Sequence, residues 1–226
     1  MKVALCLNGQ PRVNIKESLS SINKHVIEPT NCDVFMYVGK DKYVGSLFGA
    51  IDDNKIEYKS IEVKTDINIK KDCFLLDYLK LKVDSNKNNH TYRCLQQWYG
   101  YYRVNRLKSA WEKLNNFKYD WVIRCRFDMW FVSNIDDLTK LDNNLIYSPL
   151  KGGGGEKTRN DRFAFGSSKL MDIYMDQFNE LLKIDSIPKD YSDFFSPESH
   201  VKYILDMNKI EVAYSKVYPI RYGRKT

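Results

Sequence analysis

The chain has 226 residues, 43% of them hydrophobic, which is enough to bury the core of one large domain. Its net charge of +7 allows an anionic partner, but the lysines are scattered along the chain rather than gathered in one basic block. No apolar run approaches the roughly 18 residues of a membrane span, and the first residues contain too short an apolar stretch for a signal peptide. We therefore expect a globular, cytoplasmic protein with a single domain over residues 1–226 and no transmembrane segment.

The cysteines also indicate a cytoplasmic protein. They are widely spaced, contain no CxxC pair and lie mostly in apolar segments, which predicts reduced thiols in the core rather than disulfides: Cys6, Cys32, Cys73, Cys94 and Cys125.

The first part of the chain alternates between strands and a helix. An apolar run over 2–7 predicts a strand that ends at the turn residues 8–11, and a helix over 13–26 follows. Residues 32–39 predict a second buried strand, and the alternating residues 56–63 predict a third. This order favours an α/β fold with a mostly parallel central sheet flanked by helices.

The middle of the chain contains the clearest helix. Residues 64–90 are polar and irregular and predict a mobile surface loop. Over 91–114, apolar residues recur at steps of three and four, which indicates an aromatic-rich helix with one buried stripe. A strand over 119–131 follows it, and residues 134–141 predict a turn and a short helix.

The last part predicts three further strands and two helices. Residues 145–150 predict an apolar strand. The glycines 152–155 then exclude a helix or strand, and this segment is either a lid that closes over a ligand or a disordered loop. Residues 163–182 predict a strand followed by one long amphipathic helix, with Ser167 and Ser168 as possible caps. A final helix begins near Pro197, and a last strand covers 211–223.

Three charges interrupt the apolar strand 119–131. Arg124, Arg126 and Asp128 are spaced two residues apart, which places them on one side of a strand. Buried ions are costly unless they are paired, so these residues form either an internal salt-bridge network or part of a ligand crevice. Ligands of open α/β sheets bind at the carboxyl ends of the strands, and arginine suits a diphosphate there.

The order of the motifs suggests a family. The succession NGQPR, YDWVIRCRFD, NDRFAFGS and SPESHVKYIL, from Lys2 to about Arg221, resembles the GT-A-type glycosyltransferases of the WavE-like lipopolysaccharide-synthesis group. Relatives of that group occur in bacteria and large DNA viruses. The resemblance implies a Rossmann-like GT-A fold that moves a sugar from a nucleotide-sugar donor to a glycan or lipid-linked acceptor. The compartment would be the cytoplasm, or the host cytoplasm for a viral protein.

The resemblance also implies a metal ion. Asp128 falls at the last carboxylate of the DxD motif, which would hold Mn²⁺ or Mg²⁺ against the donor's two phosphates. This sequence departs from the motif, because Arg126 replaces the first aspartate. Either one carboxylate holds the metal, or arginine itself stabilises the diphosphate.

Further donor-binding residues follow from the resemblance. The segment Asn8, Gly9, Gln10 and Arg12 comes after the first strand, where nucleotide-binding sheets receive the base and phosphates, although a plain β-turn explains it equally well. At the other end of the chain, Arg221 either closes on the diphosphate or belongs to a solvated terminus.

Two acidic residues are candidates for the catalytic base. Asn160 and Asp161 match the position where the family's strand faces the sugars, and Glu198 matches an acidic residue at a helix start. An inverting transfer needs one carboxylate to take the proton of the acceptor hydroxyl, and either Asp161 or Glu198 suits this role. The helix N-terminus is expected to hold Glu198 ionised, whereas a glutamate there also simply complements the helix dipole.

Other candidates have simpler explanations. The pairs Asp52–Asp53 and Asp136–Asp137 predict turn and cap residues, and a lone histidine such as His200 is usually structural. Three other functions remain open: a nucleic-acid-binding module, a nucleotidyltransferase, and a member of the same family that binds sugar without catalysis. Arginines and aromatic residues do not interleave on one strand as a nucleic-acid platform requires, so we expect no nucleic-acid partner.

Overall fold

The computed structural model describes residues 1–64, 88–149, 160–183, 196–217 and 219–221, without the side chains of 88–92, 182 and 221. Residues 65–87 of the loop predicted over 64–90, which include Cys73, and the glycine run 152–155 lie outside the described residues. The two ends of that predicted loop belong to regular structure instead, because Lys64 ends a strand and residues 88–90 are helical.

A mixed sheet forms the centre of the molecule. Its strands are β1 (Val3–Gly9), β2 (Asp33–Gly39), β3 (Tyr58–Lys64), β4 (Trp121–Arg126), β6 (Ile146–Pro149), β7 (Phe163–Ser167) and β8 (Val212–Ser215). The strand order is β3-β2-β1-β4-β7-β6-β8, and β7 runs antiparallel to both of its neighbours while the other pairs are parallel. A separate two-stranded sheet pairs β5 (Met129–Trp130) with β9 (Ile220–Arg221). The predicted α/β class and mostly parallel sheet are confirmed.

The helices occupy both faces of the sheet. Their bounds are α1 (Ile15–Ile22), continued by a π-helical turn (Asn23–Ile27) and α2 (Glu28–Thr30), then α3 (Val44–Asp53), α4 (Asn88–Leu114), α5 (Ser168–Met175), α6 (Gln177–Leu182) and α7 (Pro197–Met207). A short 3₁₀ helix covers Leu138–Lys140.

Alternation along the strands divides the core into two layers. In β1, Leu5 and Leu7 pack with Leu19 of α1 and Ala50 of α3, whereas Cys6 belongs to the opposite layer. That second layer includes Trp98 and Tyr101 of α4 and Val201 of α7, all of them buried. Since successive side chains of a strand point to opposite faces, the even-numbered residues of β1 and β4 face α4.

The chain reverses its direction across the sheet after β3. Strands β1, β2 and β3 are added outward in one direction, and α4 then carries the chain back so that β4 lies on the other side of β1. The connections that leave the carboxyl ends of β1 and β4 therefore diverge. In open α/β sheets, such a switch point is where ligands bind.

Three predicted elements are divided in the structure. The strand over 119–131 ends at Arg126, because residues 127 and 128 form a turn before β5. The prediction of one strand over 211–223 is also wrong, because this segment forms two strands: β8 joins the main sheet, and β9 pairs with β5. The long helix after β7 is interrupted at Asp176, where φ is −84° and ψ is 17°.

The cap predictions had mixed outcomes. Ser167 takes the N-cap position of α5 without a side-chain cap bond, and the hydroxyl of Ser168 donates instead to Glu112. Asp137 does cap the short 3₁₀ helix, since its carboxylate accepts from the backbone N–H of Thr139.

The described cysteines are free thiols buried in the core: Cys6, Cys32, Cys94 and Cys125. Burial raises the pKa of Cys6 and of Cys125 to about 12, because the thiolate would lose its hydration. None of the described helices is both long and apolar enough to cross a membrane.

Candidate functional site

A buried arginine joins β1 to the segment before β7. Arg124 is fully buried on the α4 side of the sheet, and its Nε donates to Asn8 Oδ1 at 3.1 Å. Its guanidinium lies 3.8 Å from the ring centroid of Tyr101, a cation–π contact, and its Nη1 donates to the backbone carbonyl of Asp161. Arg124 therefore connects the carboxyl end of β1 to Asp161.

Two residues of α4 complete this connection. Gln97 and Tyr101 are four residues apart, so they lie on the same face of the helix. The Tyr101 hydroxyl donates to the Asp161 carbonyl at 2.7 Å, and Gln97 Nε2 donates to Asp161 Oδ2 at 2.5 Å. Sequence reasoning did not single out either residue; the available signal was a glutamine on the buried side of an aromatic helix.

Arg126 and Asp128 form a bidentate ion pair. Arg126 Nε donates to Asp128 Oδ1 at 2.8 Å, and Nη2 donates to Oδ2 at 2.7 Å. Asp128 lies in the turn rather than in the strand, and the turn still returns its carboxylate to Arg126. Arg126 Nη1 also reaches Gln97 Oε1 at 3.4 Å.

These contacts form one continuous network at the switch point. We call it the switch-point cluster, and it consists of Asn8, Gln97, Tyr101, Arg124, Arg126, Asp128 and Asp161. Within it, Asp128 is 5% and Asp161 is 3% exposed, whereas the side chain of Arg126 is 19% exposed. Arg126 and Gln97, both partly exposed, are thus the members of the cluster that reach solvent beside the buried carboxylates.

The segment before β7 is held by its own hydrogen bonds. Asn160 Oδ1 accepts from the backbone N–H groups of Arg162 at 2.8 Å and Phe163 at 3.1 Å, and its carbonyl accepts from the Tyr174 hydroxyl. Arg162 lies 3.7 Å from Asp161 Oδ1. Asn160 therefore shapes the turn that presents Asp161.

Glu198 lies at the start of α7, as predicted. Ser196 Oγ caps this helix by accepting from the N–H of Ser199 at 3.1 Å, and Pro197 occupies its first turn. The helix N-terminus does not produce a net lowering of the pKa of Glu198: burial first, and then the nearby charge of Asp161, raise it above the ordinary value. Desolvation and a like charge oppose ionisation more strongly here than the helix dipole favours it.

The first strand extends two residues further than predicted, so that Asn8 and Gly9 of the predicted turn belong to β1, and residues 8–12 are divided between core and surface. Asn8 is 1% exposed and belongs to the switch-point cluster, whereas Arg12 is exposed and its carbonyl accepts from Ile15 N–H at the start of α1. Gly9 has a φ of +125°, which L side chains rarely adopt, so the end of β1 needs glycine. Gln10 packs close to Gly39, where an added Cβ would lie 2.9 Å from Gln10 Cγ.

Arg221 is placed near the cluster by its backbone. It pairs with Met129 in the small sheet, directly after Asp128 in the chain. Its side chain lies outside the described residues.

Other charged and polar candidates have structural roles. Buried His200 packs against Trp98 at a ring-centroid distance of 4.4 Å, its Nε2 lies 3.1 Å from the carbonyl oxygen of Gln177, and burial lowers its pKa to about 4. Asp53 pairs with Lys16 at 3.1 Å at the end of α3, and Asp136 accepts from Ser215 Oγ.

A surface cavity of about 810 Å³ lies away from the cluster, between α1, α3 and β5, with Lys16, His25 and Trp130 among its lining residues. Within the described parts of the chain, no group of three or more His, Cys, Asp or Glu side chains is placed to hold a metal ion.

Fold and site together define an α/β protein whose sheet carries a buried cluster of arginines and carboxylates at its switch point. Residues 1–220 match the family model described as Domain of unknown function (DUF7796), and the chain belongs to that family. Comparison with curated proteins gave no match.

Proposed function

We propose that this protein is a glycosyltransferase of the GT-A type, related to the WavE-like group, that transfers a sugar from a nucleotide-sugar donor to a glycan or lipid-linked acceptor in the cytoplasm. The observation that carries the proposal is the position of the switch-point cluster. Arginines and carboxylates lie together at the carboxyl ends of β1 and β4, where an open sheet binds nucleotides.

The donor would bind across these strand ends. Arg126 is partly exposed and supplies positive charge for the diphosphate, while Gly9 at the end of β1 and Gln10 directly after it provide the backbone on which the nucleotide would lie. Asn8 and Arg124 are buried beneath, so we assign them to supporting this surface rather than to direct contact with the donor.

The two acidic candidates take different roles in this proposal. Asp161 is 3% exposed and accepts from Gln97, so its charge is held in place by the protein. Glu198 is only partly buried, and its raised pKa makes its carboxylate a stronger base than that of an ordinary glutamate. We assign Glu198 as the base that deprotonates the acceptor hydroxyl, and Asp161 as the group whose negative charge helps to raise the pKa of Glu198.

Thermal stability in the presence of ligands tests donor binding. A panel of UDP-, GDP- and TDP-sugars, each with and without Mn²⁺, should contain at least one compound that raises Tm, because a ligand that binds only the native state stabilises it. Hydrolysis of that donor, or transfer to added glycans, should then fall at least about 100-fold in Glu198→Gln while donor binding is retained. No rise in Tm across the whole panel would contradict the proposal.

A second candidate is a protein that binds a sugar nucleotide without transferring the sugar. The bidentate Arg126–Asp128 pair favours it, because both carboxylate oxygens are already engaged. Donor binding with equal, background rates of hydrolysis in wild type and Glu198→Gln would select this candidate.

A further inference from the structure

The residues at the expected metal position do not fit a divalent ion. Both oxygens of Asp128 accept from Arg126, at 2.8 and 2.7 Å, and the carboxylate is 95% enclosed by the protein, with 5% of the residue exposed. Mg²⁺ requires about six oxygen ligands at roughly 2.1 Å, so an ion at Asp128 would have to displace the guanidinium or lie against its positive charge. Asp161, the other buried carboxylate, is engaged by Gln97 and faces Arg162 at 3.7 Å.

The Arg126–Asp128 pair is positioned by a strand end and a buried turn residue. Arg126 ends β4, where its register partner in β1 is Asn8, and Phe127 is 1% exposed and anchors the turn in the other core layer. Because Asp128 holds the Nε and Nη2 edge of the guanidinium, Nη1 lies on the opposite side, where it makes one long contact of 3.4 Å with Gln97. A guanidinium has five N–H donors, so this geometry leaves donors directed away from Asp128.

A second cation lies beneath it. Arg124, two residues earlier on the same face, is fully buried, and its Nη2 has no hydrogen-bond partner among the residues that the structure describes. Its charge is therefore not cancelled by a directly paired carboxylate in the described part of the chain: Arg124 contacts Asn8 Oδ1, the Asp161 carbonyl, the Tyr101 ring and the Tyr174 hydroxyl.

Resting on the proposed function, we infer that this chain neutralises the donor's diphosphate with Arg126 instead of a divalent metal ion, and that Asp128 is a positioning residue which holds Arg126. Arginine recognises phosphate oxygens through paired N–H donors, and Asp128 restricts the guanidinium to one orientation. The Arg-for-Asp departure from the metal motif then exchanges one source of positive charge for another.

Calorimetry with a nucleoside diphosphate tests the inference. UDP and GDP are titrated into the wild-type protein in EDTA and again in Mn²⁺, and the Kd of the one that binds should agree within about 2-fold between the two conditions. Arg126→Ala should weaken binding by at least about 10-fold in both. Arg103→Ala is the matched control, because Arg103 is also bidentate to an acid, Glu62 of β3, and its removal should leave Kd unchanged.

The metal itself provides an independent readout. The electron paramagnetic resonance signal of free Mn²⁺ should persist when the wild-type protein is added, whereas Arg126→Asp, which places a second carboxylate near Asp128, should reduce it. Asp128→Asn should weaken nucleotide binding equally in EDTA and in Mn²⁺, as expected for a positioning residue.

Different results would overturn the glycosyltransferase proposal and the inference about Arg126. Nucleotide binding that requires Mn²⁺ and is lost in EDTA would overturn the arginine assignment and support a metal-dependent glycosyltransferase. Absence of UDP and GDP binding in both conditions, together with no rise in Tm across the panel of donors, would overturn the glycosyltransferase proposal and the inference with it.

Discussion

At the scale of single residues, the lack of a side chain at Gly100 allows α4 to lie close to β1. A Cβ added at Gly100 would lie 2.9 Å from Asn8 Nδ2 and 3.6 Å from the ring of Tyr37. Asn8 cannot withdraw easily, because it is 1% exposed and bonded to Arg124. Gly100 therefore allows the amide of Asn8 to lie between the helix and the buried arginine.

Gly100→Ala should lower the free energy of unfolding by about 1–3 kcal/mol, because the new methyl group overpacks a filled layer. Urea denaturation measures the change. Gly49→Ala is the matched control within α3, where an added Cβ meets nothing within 4 Å. That variant should be stabilised by about 0.5–1 kcal/mol through helix propensity. Equal effects of the two substitutions would contradict the close-approach argument.

A buried histidine makes stability depend on pH. The pKa of His200 is about 4 in the folded protein, below the ordinary value of 6.5, because burial disfavours the charged ring. Its contribution is therefore fully present above pH 6.5 and is lost as pH falls through 4, by up to about 3 kcal/mol.

His200→Gln should remove this part of the pH dependence. Denaturation of the variant between pH 7 and pH 4 should show a smaller loss of stability than wild type. His25→Gln is the control, since His25 is only partly buried and hydrogen-bonded to Asn134. If the His200 variant lost as much stability between pH 7 and pH 4 as the wild type does, the acid sensitivity would have to come from other groups.

At the scale of elements, an ion network fixes α4 to α5. Lys108 is fully buried and donates to Glu112 at 3.2 Å, to Ser168 at 2.9 Å and to Asp172 at 2.7 Å. Glu112 is 1% exposed and also accepts from the N–H of Tyr119, just before β4. The network therefore sets the position of the same helix that carries Gln97 and Tyr101 into the switch-point cluster.

Glu112→Ala should destabilise the protein by about 3–5 kcal/mol, because it leaves Lys108 buried without one of its acidic partners. Lys118→Ala removes a partner of the same carboxylate, but that side chain is 66% exposed, so the loss should stay within about 1 kcal/mol. Chemical denaturation compares the two variants. Similar losses in both would show that burial does not determine the strength of this network.

At the scale of the whole molecule, the buried thiols report on cooperative unfolding. Cys6 and Cys125 lie in adjacent central strands, Cys32 lies next to β2, and Cys94 lies in α4, so they sample both core layers. Each is at most 8% exposed. A reagent that reacts with thiolates can reach them only when the structure opens.

In the variant Cys73→Ser, which removes the one cysteine outside the described residues, native protein should react slowly with a thiol reagent. The described thiols should then be modified at one common rate that rises with denaturant, because opening is global. Mass spectrometry after timed labelling resolves each site. Rapid reaction of Cys32 alone, the most exposed of them, would instead indicate local opening at the edge of the core.

Much of the fold followed from local pattern. Apolar runs and turn residues located β1, β2 and α4 within a few residues, because their side chains are buried along one stripe or on both faces. The two strand predictions that failed, over 119–131 and 211–223, depend on tertiary pairing: β5 and β9 are two residues long, and pairing with each other defines them. Nothing in residues 119–131 alone signals the turn at Phe127 and Asp128.

The candidate site shows the same division. The sequence by itself determined that Arg124, Arg126 and Asp128 needed partners, since an apolar strand cannot bury three unpaired charges. Only the tertiary structure decided which partners they have: Asn8 and Asp161 for Arg124, and Asp128 for Arg126. Hydrogen-bond partners that are far apart in the chain meet through strand register and helix packing, and these depend on the whole core rather than on any one segment.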